Sequence, residues 1–293
     1  MSEIDLCGVG LRGPILNGSG TFDAIAARRA FGDLLLDRFP FDCFVSKTIT
    51  LQPREGNPPP RLWETASGLV NSIGLPNKGV RRFLELDLPL LAELPVPLCV
   101  SVMGFSHEEL ARLVEEIEAL DEISLIELNL SCPNVETGTL VGADPEETAA
   151  ALTAARASTD KPLIAKLSPS ATDPAAVAAA AELAGADAIS LINTLKGMPL
   201  HPTTREPWLG GRTGGLSGPA VRVVALEQVA SVAARVDVPV IGMGGISCGR
   251  DAADLLAAGA SAVAVGTENF RDPAAGRRIA AELAAFEQKV PAK

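Results

Sequence analysis

Eight apolar runs of strand length punctuate the chain: PILN (14–17), CFVSK (43–47), LCVSV (98–102), LIELN (125–129), LIAKL (163–167), AISLIN (188–193), PVIGM (239–243) and AVAVG (262–266). They lack the regular apolar/polar alternation of a strand with one wet face. Near-continuous apolar character marks strands buried on both faces, and hence a parallel sheet covered by helices. Helical patterns fill most of the gaps. SHEELARLVEEIEAL opens on a capping box, Ser106 to Glu109, and sets Leu110, Leu113, Val114, Ile117 and Leu120 on one stripe. Asp144 with Pro145, and Asp173 with Pro174, read as N-caps followed by proline at the first helical position. Strand, helix, strand, repeated eight times, predicts an α/β fold of the (β/α)8 TIM-barrel type, with a doubly wound open sheet as the alternative. Its 293 residues are expected to form a single barrel domain, 1–293, with inserted loops at the C-terminal face of the strands.

In such a barrel the chemistry sits where the strands end. The exits here are Ser19-Gly20, Lys47-Thr48, Ser101, Asn129, Lys166, Asn193-Thr194, Gly244-Gly245 and Gly266-Thr267. Turn formation accounts for the glycines and serines. It accounts poorly for Lys47 and Lys166, because an unpaired ammonium is costly to bury. GMGGI and VGT, after the last two runs, offer unhindered backbone N–H groups where barrels bind phosphate. Long inserts, QPREGNPPPRLWE with NSIGLPNKG and then LKGMPLHPTTREPWLGGRTGGLSGPA, exceed plain connections and are expected to shape a pocket or a partner surface.

Composition narrows the function classes. A formal net charge of −11, with no cluster of five Lys/Arg, argues against a nucleic-acid binder. The start, MSEIDLCGVG, has no basic stretch leading into an apolar one, and no run approaches the ~18 apolar residues of a membrane span. A cytoplasmic location is the expectation. The five cysteines are far apart, which excludes a disulfide framework, an iron–sulfur site and a zinc site, and two histidines make a metal centre or a Ser-His-Asp triad improbable. Cys7, Cys43, Cys99 and Cys248 read as packed thiols. Cys132, in a loop between asparagines, reads as reactive. Lys166 as the Schiff-base nucleophile of an aldolase is a competing enzyme reading.

The strings SKTITLQPREGNPPPR, NSIGLPNKGV, ELNLSCPNVETG, AKLSP, SLINTLKGM, TGGLSGPA, PVIGMGGI and AVAVGTENF carry a resemblance over nearly the whole length. The chain resembles the dihydroorotate dehydrogenases, and among them the soluble class 1B enzymes that work with an electron-transfer subunit. The resemblance implies an FMN-binding barrel that oxidises dihydroorotate to orotate in de novo pyrimidine synthesis. It gives the catalytic base to Cys132, where membrane-associated class 2 members use serine and carry an N-terminal helical extension. It assigns FMN to Ser19, Lys47, Thr48, Ser101, Asn129, Lys166, Ile192, Gly218, Gly244, Gly245, Gly266 and Thr267. It assigns substrate to Lys47, Asn71, Ser72, Ile73, Gly74, Leu75, Asn129, Asn134, Asn193 and Thr194. Two positions depart from class 1B habit: Ser101 stands where asparagine is usual and Thr48 where glycine is usual, and their hydroxyls can still bond a flavin.

These residue types suit the reaction. Oxidising a C–C bond beside a carbonyl needs a base for one proton and an acceptor for a hydride, which FMN would supply. Asparagines read a ring of alternating N–H and C=O groups, and lysines meet a carboxylate and the flavin pyrimidine end. The chain has neither a cysteine cluster nor a G-x-G-x-x-G unit for NAD. The class 1B resemblance therefore implies a partner subunit carrying FAD and a 2Fe-2S cluster, around a homodimer core in a heterotetramer. A related flavin-dependent dihydropyrimidine oxidoreductase, and a non-catalytic flavin electron-relay subunit, are the other readings.

Overall fold

The computed structural model describes residues 3–131 and 140–288 of the chain. A hairpin of β1 (Ile4–Leu6) and β2 (Val9–Leu11) precedes the first barrel strands, β3 (Ile15–Asn17) and β4 (Phe44–Val45). A second hairpin, β5 (Leu62–Thr65) and β6 (Gly68–Asn71), intervenes before β7 (Leu98–Val102), β8 (Leu125–Asn129), β9 (Leu163–Lys166) and β10 (Ala188–Leu191). Two short strands, β11 (Leu195–Gly197) and β12 (Gly214–Ser217), then lead to β13 (Val240–Met243) and β14 (Ala262–Val265).

Each of the eight apolar runs contains one barrel strand. They lie parallel in the order β3-β14-β13-β10-β9-β8-β7-β4. A parallel bridge between Leu16 and Cys43 joins the two ends, so the sheet closes and the open-sheet alternative falls. That seam is thin, because β4 has only two residues. A fully buried side-chain amide reinforces it: Asn17 Nδ2 donates to the Val45 carbonyl at 2.8 Å and Asn17 Oδ1 accepts from the Val45 N–H at 2.8 Å.

The helices start where their caps predict. Ser106 accepts from the Glu109 N–H, Asp144 from those of Glu146 and Glu147, and Asp173 from that of Ala176. On the helix His107–Glu118, Leu110, Leu113, Val114 and Ile117 are buried in the shell between helices and barrel, together with outward-facing Val100, Val102, Ile126 and Leu128. Each such side chain contributes roughly 1.5–3 kcal/mol by leaving water. A separate core fills the barrel's interior, where Leu6 and Leu11 of the first hairpin meet Leu16, Cys43, Cys99, Leu125, Ile164 and Ala188. The hairpin therefore plugs the end from which the strands start, and access is left to the end where they finish.

Candidate active site

Over that finishing end the long inserts form a second sheet, antiparallel, in the order β11-β12-β6-β5. The glycine-rich insert that reads as loop runs straight into it. A Cβ on Gly214 would come 2.2 Å from the Asn71 carbonyl oxygen and one on Gly215 would come 1.9 Å from Thr194 Oγ1, so only glycine permits this packing. The sheet pairs Asn71 with Gly215 and brings the segment 71–75 over the mouth of the barrel.

Beneath it is a cavity of about 650 Å³, within the range of small-molecule and cofactor sites. Its lining includes Ser19, Lys47, Thr48, Asn129, Lys166, Ile192, Gly218, Gly244, Gly245, Gly266 and Thr267, together with Asn71, Ser72, Ile73, Gly74, Leu75, Asn193 and Thr194. Of the residues singled out from sequence, Ser101 is fully buried one step below the floor. Cys132 and Asn134 lie outside the described residues. Ser131, just before Cys132, lines the cavity, and its hydroxyl accepts from Asn193 Nδ2.

The glycine exits are close-packed against a helix on one side and open to the cavity on the other. Gly244 and Gly245 adopt φ of +128° and +75°, and a Cβ on either would come within 2.8 Å of the start of the helix Arg222–Ala233. A Cβ on Gly266 would meet nothing nearer than the Thr21 methyl at 3.9 Å, so open cavity lies beside it. Two helical N-termini, at Pro219 and at Thr267, begin at this wall. Glycine backbone and helix starts together could hold a phosphate group. Met243, Ala264 and Ile192 add an apolar surface suited to a flat ring.

Two cations face the cavity. Lys47 is accessible through the mouth, yet enough protein surrounds it that desolvation, and after it the Arg61 guanidinium, lowers its pKa, with Asp23 opposing. An anion bound there would relieve that repulsion. Lys166 is nearly buried, and its ammonium lies 3.5 Å from Glu127 Oε1.

Glu127, Arg61 and Asn57 escape the sequence reading. Asn57 lines the cavity and holds Ser72 through Nδ2 to Oγ at 2.9 Å. Glu127 did leave a signal: a carboxylate within LIELN, one strand away from a lysine equally out of place.

Of the remaining cysteines, Cys43 and Cys99 are buried, whereas Cys7 is half-buried and Cys248, at the N-cap of the helix Gly249–Ala257, is half-buried as well. Burial first, then the Asp42 and Glu127 carboxylates, pushes the Cys43 thiol up to about 12. Cys99 is raised well above the ordinary thiol range by burial. Cys7 is pushed up to about 12 by burial, Asp187 and Asp5, and its Sγ donates to the Asp187 carbonyl. None of these three would ionise at neutral pH.

Comparison with known proteins gives the family. Residues 1–286 match the family model described as dihydroorotate dehydrogenase. Among curated relatives, the "Dihydroorotate dehydrogenase B (NAD(+)), catalytic subunit" of Geobacter metallireducens is 44% identical over 282 residues, covering 96% of this chain and 91% of that one. Proteins of the same name from Desulforudis audaxviator and Pelobacter propionicus are each 45% identical, covering 96% and 94% of this chain and 91% and 90% of theirs.

Proposed function

The chain belongs to the dihydroorotate dehydrogenase family, and from that membership we propose that it oxidises dihydroorotate to orotate with FMN as resident cofactor, passing electrons to NAD through a separate subunit. The observation that carries this reading is the convergence, in one cavity, of a glycine cradle, an apolar ring surface, two cations and an asparagine set. Ser19, Thr48, Asn129, Ile192, Gly218, Gly244, Gly245, Gly266 and Thr267 would hold the flavin, with Ser101 supporting Thr48 from below. When bound, FMN supplies the acceptor for the electron pair leaving the substrate.

Lys47 would take the substrate carboxylate, since its desolvated, Arg61-repelled ammonium gains most from a fixed anion. Asn71, Asn134 and Asn193 would read the ring's N–H and C=O groups, and Asn129 would face both ligands. The segment Ser72–Leu75 would close over the substrate from the mouth sheet. Cys132 would take the proton from the carbon beside the carbonyl. A thiol of pKa ~8.5 is mostly protonated at neutral pH, so turnover should rise with pH.

The relatives' name, a catalytic subunit of an NAD-linked enzyme, supports a partner. We take that partner to carry FAD and a 2Fe-2S cluster, and the core of the assembly to be a homodimer of this chain, in the cytoplasm. No helix among the described residues is long and apolar enough to cross a membrane.

The test is optical and kinetic. The purified protein should show flavin absorbance that dihydroorotate bleaches without air, and colourless protein that FMN cannot reconstitute would sink the reading. The lone chain should reduce small artificial acceptors and leave NAD almost untouched. Efficient NAD reduction without a partner would overturn the two-subunit scheme.

A further inference from the structure

Four polar side chains project into the barrel one layer above its apolar fill: Ser101, Glu127, Lys166 and Ser190, each at most 6% exposed. Glu127 is their hub. Its Oε1 accepts from Ser101 Oγ at 3.0 Å and faces Lys166 Nζ at 3.5 Å, and its Oε2 accepts from Ser190 Oγ at 3.4 Å. An ionised carboxylate only accepts, so the Ser101 proton must point at it. Ser101 Oγ is then left as an acceptor toward Thr48 Oγ1, 2.9 Å away. Ser19 gives its own hydroxyl proton to the Ser46 carbonyl at 2.7 Å, so its Oγ, 3.2 Å from Thr48 Oγ1, is a second acceptor for the Thr48 proton. Thr48 Oγ1 is left to accept from Asn129 Nδ2 at 3.1 Å, and Asn129 Oδ1 accepts from the Ser131 N–H at 3.3 Å.

The buried carboxylate thus fixes the direction of the Ser101 and Ser190 hydroxyls and leaves Ser101 Oγ free to accept from Thr48. The edge of the Asn129 amide is set locally, by the Ser131 N–H that its Oδ1 accepts. Ser101 and Thr48 are the positions at which this chain departs from class 1B habit.

We propose that Glu127 is a positioning residue for the flavin end of the pocket: it balances and anchors the Lys166 ammonium and holds Ser101 beneath Thr48. This rests on FMN occupying the pocket as proposed above. Adding two electrons and one proton to the flavin yields an anionic reduced ring, which a nearby positive charge stabilises and a nearby negative charge disfavours. With the pair intact the two charges offset each other.

The two-electron midpoint potential of bound FMN, measured without substrate at neutral pH, tests the idea in E127Q, K166M and the double variant E127Q/K166M. We expect E127Q to raise the potential and K166M to lower it, each by at least tenfold in the reduction equilibrium, or about 30 mV. The double variant should return close to wild type. Shifts of the same sign in the two single variants, or no shift in E127Q, would overturn the proposal, since a merely structural residue has no reason to produce opposite signs. Should a single variant lose FMN, the double variant decides. Recovered flavin binding there supports the pair, and binding no better than in the worse single variant overturns it. Wild-type protein that takes up no FMN would refute the proposed function itself, a separate outcome visible before any variant is made.

Discussion

Two layers of the barrel interior, one residue pair apart along the same strands, contrast sharply. Along β7 the inward positions are Cys99 and then Ser101; along β8, Leu125 and then Glu127; along β9, Ile164 and then Lys166; along β10, Ala188 and then Ser190. Backbone, direction and burial are shared. The lower layer is sealed by the first hairpin and holds only apolar groups and protonated thiols. The upper layer is nearly as dry yet carries a carboxylate, an ammonium and two hydroxyls, each with a partner. Burial alone therefore does not decide chemistry here. What decides it is whether a charge at that level can be paired on one side and face an open cavity on the other.

The contrast can be attacked at its strongest point first. Leu125→Ala, in the lower layer, should cost on the order of 2–5 kcal/mol of stability in denaturant unfolding, the usual toll for emptying a fully buried leucine site, while the folded fraction keeps its flavin spectrum. Loss of flavin without loss of stability would erase the division between layers. Cys132→Ala should do the reverse, lowering kcat by at least ~100-fold with the melting temperature and FMN content retained. A near-normal rate would place the base elsewhere.

The smallest effect concerns pH. The folded-state pKa of Cys43 is raised to about 12, so the fold favours the protonated thiol. Its contribution is complete below the unfolded thiol pKa of ~8.5 and is lost as pH rises toward the folded value, because the unfolded chain gives up its proton first. Melting temperature should therefore fall between pH 8 and pH 10, and Cys43→Ala should flatten that fall. An unchanged slope in the variant would mean that the lower layer is wetter than its burial indicates.

Much of this was legible in the sequence. The eight strands announced themselves because burial on both faces suppresses alternation, and the helix starts because Ser106, Asp144 and Asp173 have one common use in that context. The pocket's lining was legible as a set of strand exits. The mouth sheet was not. Its strands are three or four residues long, β12 begins with two glycines, and what joins its two hairpins into one sheet is the pairing of β6 with β12, some 140 positions away. Glu127 was hidden for a different reason. A single charge inside an apolar run reads as an exception until the neighbouring strand supplies its partner, and strand adjacency follows from the fold rather than from local pattern.

The mouth sheet also constrains the order in which this protein can assemble. Asn71 Nδ2 donates to the Gly215 carbonyl across 144 residues of chain, and the β6–β12 ladder spans the same distance. Closing so long a loop costs entropy that one short ladder cannot offset, so the rim waits until the parallel strands between have brought its halves together. During synthesis the ribosome must release residue 217 before the β6–β12 ladder can be complete.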